Sequence, residues 1–178
     1  RVGLDQSRVD QVYDSLSRPA ERRYSSGFAV QNKYDEYGFW RQVHVSSQKG
    51  SAIAWEAMLI DARGRIRQER LGNGIVTTHE YVDTTGRLKA SAARSATGAA
   101  IQDFALDYDQ VGNVLQRVDK ISNNAERFEY DALNRITAAS RMLEDRITVS
   151  YDPLGNILKK SKTGNYLYCD TDRTKVLC

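Results

Sequence analysis

At 178 residues, 40% of them apolar, with 26 basic and 23 acidic side chains, the chain is long enough to bury a core and carries a net charge of only +3. Ten tyrosines and two prolines exclude a disordered tract despite a mean hydropathy of -0.59. The charges are scattered along the whole chain, which argues against nucleic acid as a partner, and no apolar run reaches the ~18 residues of a membrane-spanning helix.

From the N-terminus, residues 1–11 start at Arg1 without an apolar leader and are expected to be the remnant of a preceding repeat in a fragment. From Val12 onward one motif recurs: an aspartate, usually after tyrosine, followed three residues later by Gly, Asn or Ser. It stands at Asp14 with Ser17, Asp35 with Gly38, Asp61 with Gly64, Asp83 with Gly86, Asp109 with Gly112, Asp131 with Asn134 and Asp152 with Gly155. The aspartates step by 21, 26, 22, 26, 22 and 21 residues, and a recurrence in this range marks an array whose units stack on one another. Seven units over 12–168 leave 169–178 as an irregular tail.

Each unit reads as strand, turn, strand, turn. Phe104, Leu106 and Tyr108 alternate with Asp103, Ala105 and Asp107, and Ile147, Val149 and Tyr151 alternate with Thr148 and Ser150. That period of two predicts half-buried strands. The aspartate then accepts backbone amides two residues on, and the Gly or Asn tolerates left-handed dihedrals, which predicts a tight turn. Two residues further an apolar side chain restarts a strand: Pro19, Trp40, Ile66, Leu88, Val114, Ile136 and Ile157. Second breaks fall at 25–27, 49–51, 72–74, 97–98 and 122–124, where Asn73-Gly74 predicts a two-residue type I′ hairpin. The Ala-rich stretch 90–100 has helical propensity, but Gly98 and its Ser and Thr residues favour a hairpin arm. The fold class expected is all-β, an antiparallel hairpin meander that strand twist curls into a curved wall.

Few residues offer chemistry. His44 and His79 have no Cys or Glu at ligand spacing, so no metal or cofactor is expected, and no serine sits in a nucleophile elbow. The turn role accounts for the aspartates without catalysis, even where Asp107 and Asp109 stand close. Tyr34, Trp40, Trp55, Tyr108, Tyr130 and Tyr151 offer a second reading, an aromatic row that contacts surface glycans; cross-strand packing accounts for the same residues. Lys159, Lys160 and Lys162 read as a solvated strand end. Cys169 and Cys178 match no zinc or redox spacing; a disulfide between them is the alternative to the favoured expectation of two free thiols.

The residues resemble the YD repeats of Rhs proteins, shared with teneurins and with the C component of insecticidal toxin complexes. Closest are Leu71-Gly72-Asn73-Gly74-Ile75 with Tyr81 and Thr85-Gly86-Arg87-Leu88, then Tyr108-Asp109-Gln110-Val111-Gly112-Asn113, and Phe128 through Ile136. The resemblance implies a stretch of a hollow β-shell wall, non-catalytic, enclosing a C-terminal toxin in a bacterial secreted or cell-surface protein. Its implied partners are the remaining shell repeats and that toxin domain. Ile60 and Val82 depart from the tyrosine before the aspartate, and Tyr166-Leu167-Tyr168-Cys169-Asp170 breaks the register. Asp152-Pro153-Leu154-Gly155 has the outline of the family's self-cleaving segment, yet it continues as an ordinary repeat and is expected to be one.

Overall fold

The computed structural model describes residues 8–142, 144 and 146–168. Among these the chain forms strands and no helix: β1 (Val9–Tyr13), β2 (Pro19–Tyr24), β3 (Ala29–Tyr34), β4 (Trp40–Ser47), β5 (Gly50–Ile60), β6 (Ile66–Leu71), β7 (Val76–Tyr81), β8 (Leu88–Arg94), β9 (Ala100–Tyr108), β10 (Val114–Asp119), β11 (Asn124–Tyr130), β12 (Ile136–Arg141), β13 (Ile147–Tyr151), β14 (Ile157–Lys160) and β15 (Gly164–Asn165). Strand order in the sheet is chain order. This is the all-β antiparallel meander that the alternation predicts, and the Ala-rich stretch forms the end of β8, a turn and the start of β9.

Two compact units divide the chain: residues up to Gly86 with Ser91–Gln102, and Arg87–Ala90 with the residues from Asp103 on. In the first, Val30 stands opposite Val45 and Trp55 opposite both Val43 and Leu71, so one face gathers apolar side chains. In the second, Phe128 faces Ala139, which faces Ile147. The boundary between 11 and 12 falls inside β1, and the tail 169–178, with Cys169 and Cys178, lies outside the described residues.

Most connections use one turn. Its first residue donates its N–H to the carbonyl four residues on, and the residue three on donates back: Asp61 N to Arg65 O at 2.9 Å and Gly64 N to Asp61 O at 2.9 Å, for example. The third residue is left-handed, with φ of 78° at Gly64, 60° at Asn134 and 61° at Ser17. This is a three-residue loop, a type I turn followed by a left-handed residue that makes a bulge. The bulge appears as a register shift just before Tyr13, Tyr34, Ile60, Tyr130 and Tyr151.

Asn73-Gly74 corrects the sequence reading. Leu71 N donates to Ile75 O at 2.8 Å and Gly74 N to Leu71 O at 2.9 Å, and positive φ falls on Gly74 and not on Asn73. The same three-residue loop therefore replaces a two-residue type I′ turn. Gly72 explains why: a Cβ there would lie 2.6 Å from Ile53 O, and its N–H donates to Ala54 O at 2.8 Å. Gly72 is thus the first residue of the loop, pressed against β5, and the turn starts one residue earlier at Leu71.

Burial is thin. The buried apolar residues are Ala29, Ala57, Ala93 and Ala138, and no large side chain is fully buried among the described residues. Backbone ladders and in-sheet side-chain contacts hold each unit together, with no packed interior to add to them.

Candidate functional site: a ladder from repeat to repeat

The aspartate closes its own turn. Asp61 Oδ1 accepts the N–H of Arg63 at 2.9 Å and of Arg65 at 3.0 Å. The same pair of bonds recurs at Asp14, Asp35, Asp131 and Asp152. At Asp109 the first bond shifts to Gly112, at 2.7 Å. Charge-assisted bonds of this kind stabilise the ionised form. The Arg18 amide above all holds the Asp14 carboxyl below its ordinary 3.8, as the Arg65 side chain does for Asp61 and the Arg135 amide for Asp131. At Asp109 burial pushes upward, but the Asn113 side chain and amides win and the pKa falls.

A column that the sequence reading passed over completes the site. The residue four after the aspartate is Arg18, Phe39, Arg65, Arg87, Asn113, Arg135 or Asn156. Arg18, Arg65 and Arg135 each pair with their own aspartate at 2.7 Å, and the Nδ2 of Asn113 and Asn156 donates to Asp Oδ2 at 2.8 and 3.0 Å. Each arginine then reaches the next repeat. Arg18 lies over the Tyr34 ring at 4.3 Å, Arg65 over Tyr81 at 4.5 Å, Arg87 over Tyr108 at 5.8 Å and Arg135 over Tyr151 at 4.6 Å. Arg87 Nη2 also donates to Val111 O at 2.9 Å, and Asn113 Nδ2 to Asn134 Oδ1 at 2.9 Å.

The tyrosine ties back in the opposite direction. Tyr34 OH donates to Pro19 O at 3.0 Å, Tyr81 to Ile66 O at 2.9 Å, and Tyr108, Tyr130 and Tyr151 to Leu88, Val114 and Ile136 O at 2.8 Å. Every acceptor is the residue that restarts a strand in the preceding repeat. Ile60 has no hydroxyl to offer Trp40 in this scheme; there Trp40 and Trp55 pack with centroids 4.7 Å apart. Tyr168, expected to lie where the register breaks, makes the same bond to Ile157 O at 3.0 Å.

The turn at Asp83 departs from the others. Gly86 N donates to Val82 O at 2.7 Å, and the tyrosine of the ladder is Tyr81, two residues before the aspartate. The aromatic residues read as glycan contacts are differently placed: Tyr34, Tyr108, Tyr130 and Tyr151 are half-buried with their hydroxyls given to backbone, whereas Trp40 is 45% exposed. Trp55 Nε1 donates to Glu69 Oε2 at 2.6 Å. Among the described residues no group of three or more His, Cys, Asp or Glu could hold a metal ion, and no helix is long and apolar enough to cross a membrane.

A helix-free antiparallel meander in which, within each unit, hairpins are tied to their neighbours through Asp, Arg or Asn, and Tyr, with Phe39 and Ile60 interrupting the column, defines a class of protein, a β-hairpin repeat array. The comparisons with known proteins agree with the resemblance to Rhs and YD repeats. The chain is 29% identical over 120 residues to toxin subunit YenC1 of Yersinia entomophaga, covering 64% of this chain and 12% of that protein. It is 32% identical over 104 residues to toxin subunit YenC2 of the same organism, covering 48% and 10%. In fold it matches the crystal structure of the TcdB2-TccC3-Cdc42 complex with a TM-score of 0.84 at 17% identity, over 98% of this chain and 10% of that one. It also matches the Photorhabdus luminescens Tc holotoxin pore with a TM-score of 0.74 at 18% identity, over 88% and 9%. No protein-family model matches. The chain spans about a tenth of the length of the proteins it resembles.

Proposed function

We propose that this chain is a stretch of wall in a hollow shell that encloses a toxin cargo, in a bacterial protein that is secreted or displayed at the cell surface. Its role is containment, without catalysis. The observation that carries the reading is the two-way ladder: arginine forward to the next tyrosine, tyrosine hydroxyl back to the previous strand. Neighbouring strands sit about 4.8 Å apart, too close for a polypeptide to pass between them. The turn aspartates serve this wall as corner residues, a role supported by the bonds of Asp14, Asp61, Asp109, Asp131 and Asp152 to amides and to Arg or Asn. The remaining repeats of the parent protein and its cargo are the partners.

A chimera tests this. The stretch of TcdB2-TccC3 that matches this chain is replaced by residues 8–168, and protection of the cargo from added protease is measured. The wall reading expects an assembled shell with resistant cargo. A chimera that folds but leaves its cargo cleavable would overturn it.

A further inference from the structure

Five described arginines lie between Arg8 and Ser47, and four of them face a carboxylate. Arg8 stands 2.8 Å from Asp10, Arg18 2.7 Å from Asp14, Arg23 2.6 Å from Glu21 and Arg41 3.9 Å from Asp35. Arg22 pairs with no carboxylate among the described residues; its Nε donates to the neutral Oε1 of Gln11 at 3.2 Å. A guanidinium is a fork of N–H donors, so most of this one is left unspent within the chain.

Gln11 fixes that cation in place. Its Nε2 donates to Glu21 O at 3.0 Å and to Val12 O at 3.2 Å, which leaves Oε1 to hold Arg22. Part of the entropy of a long side chain is therefore lost before any partner arrives, and binding costs less.

The surroundings of Arg22 are apolar. It stands opposite Gln11 on β1 and Val30 on β3, and residues paired across strands share a face. With Tyr24, Trp40 and Val43 these residues line a shallow hollow of about 300 Å³, which lies wholly in the first unit. Trp40 is accessible there, and Trp55 backs its ring, so the hollow has a supported aromatic wall.

That chemistry selects a ligand. A planar guanidinium takes a carboxylate through two parallel hydrogen bonds, and apolar neighbours make the attraction stronger than in open water. The rings and aliphatic groups around it call for an apolar body beside the carboxylate. A neutral or cationic ligand leaves Arg22 without a counter-charge. From β1 to β4, neighbours in chain order, the hollow crosses about 14 Å of sheet, the span of roughly four extended residues.

We propose that this hollow binds an extended polypeptide segment in which an acidic residue stands between aromatic or aliphatic ones. The carboxylate sits on Arg22 and a flanking ring on Trp40 and Tyr24. The inference goes beyond the wall reading and does not depend on it, because the hollow has the same chemistry on either side of a shell.

The 178-residue chain is titrated with the capped peptide Phe-Glu-Phe-Ala, which has no tryptophan, while the fluorescence of Trp40 and Trp55 is followed. The same peptide with Gln in place of Glu, and 3-phenylpropionate, are titrated in parallel. Arg22→Gln and Arg94→Gln, both at exposed strand positions, are compared with the wild type after circular dichroism has shown them folded. The acidic peptide is expected to bind. The dissociation constant is expected to rise at least about tenfold for the Gln peptide and for Arg22→Gln, because one charge-assisted pair is lost, and to stay unchanged for Arg94→Gln. No binding of the acidic peptide, equal affinity for the two peptides, or an equal loss in the two variants overturns the site. Phenylpropionate binding as tightly as the peptide overturns the assignment to a polypeptide.

Discussion

Gly112 shows what a single position must satisfy. Its φ is 106°, and a Cβ there would fall 2.1 Å from Arg87 Nη2, the group that donates to Val111 O. Gly112→Ala therefore costs both backbone strain and the arginine contact, about 1 kcal/mol for the first alone. Gly98, with φ of 87° and nothing near its Cβ position, carries only the first cost. Urea titration is expected to show Gly112→Ala as the more destabilising, and Arg87→Ala to remove the excess in a double-mutant cycle. Acid sensitivity belongs to the same scale. Asp14, Asp61, Asp109, Asp131 and Asp152 titrate below 3.8 when folded, so their bonds stabilise the fold above the unfolded value and are lost as pH falls through the lower folded one. Thermal melts are expected to hold level from pH 7 to about 5 and to drop steeply below about 4; a profile that stays flat to pH 2 would contradict the turn role.

Between elements, the tie from tyrosine to the previous strand carries the repeat. Tyr130→Phe removes one bond to Val114 O and leaves the ring in place, for an expected loss of about 1 kcal/mol in urea. Arg135→Ala removes three contacts at once: the Asp131 pair, the Tyr151 ring and the bond to Asp152 O at 3.1 Å. It is expected to lower the midpoint further than Arg94→Ala, at an exposed strand end. The strands were legible because period-two alternation follows directly from the pleat, as at Phe104, Leu106 and Tyr108. The turns were legible because few residues other than Gly and Asn accept left-handed dihedrals. Asn73-Gly74 misled because the same dipeptide serves both a type I′ turn and the tail of a type I turn with a bulge, and the choice fell to Gly72 pressed against β5. The Arg and Asn column was readable as a recurrence, yet its meaning lay in the next repeat.

At the scale of the molecule, apolar burial limited to alanines among the described residues makes stability a sum of neighbour terms, as in other repeat proteins. Unfolding is then expected to lack a single transition. Trp40 and Trp55 both report on the first unit, so tryptophan fluorescence and far-ultraviolet circular dichroism are expected to give different urea midpoints; coincident curves would argue for one cooperative block.

The amino-acid sequence alone determined the hairpin repeat, because alternation and turn chemistry act between residues a few positions apart. It also carried the resemblance to YD repeats. Only the tertiary structure decided where the tyrosine hydroxyls go, that Tyr81 serves in place of Val82, and that the arginines lie over the next repeat's ring. Those contacts join residues 11 to 24 positions apart, and whether they meet depends on where each bulge shifts the register of its strand.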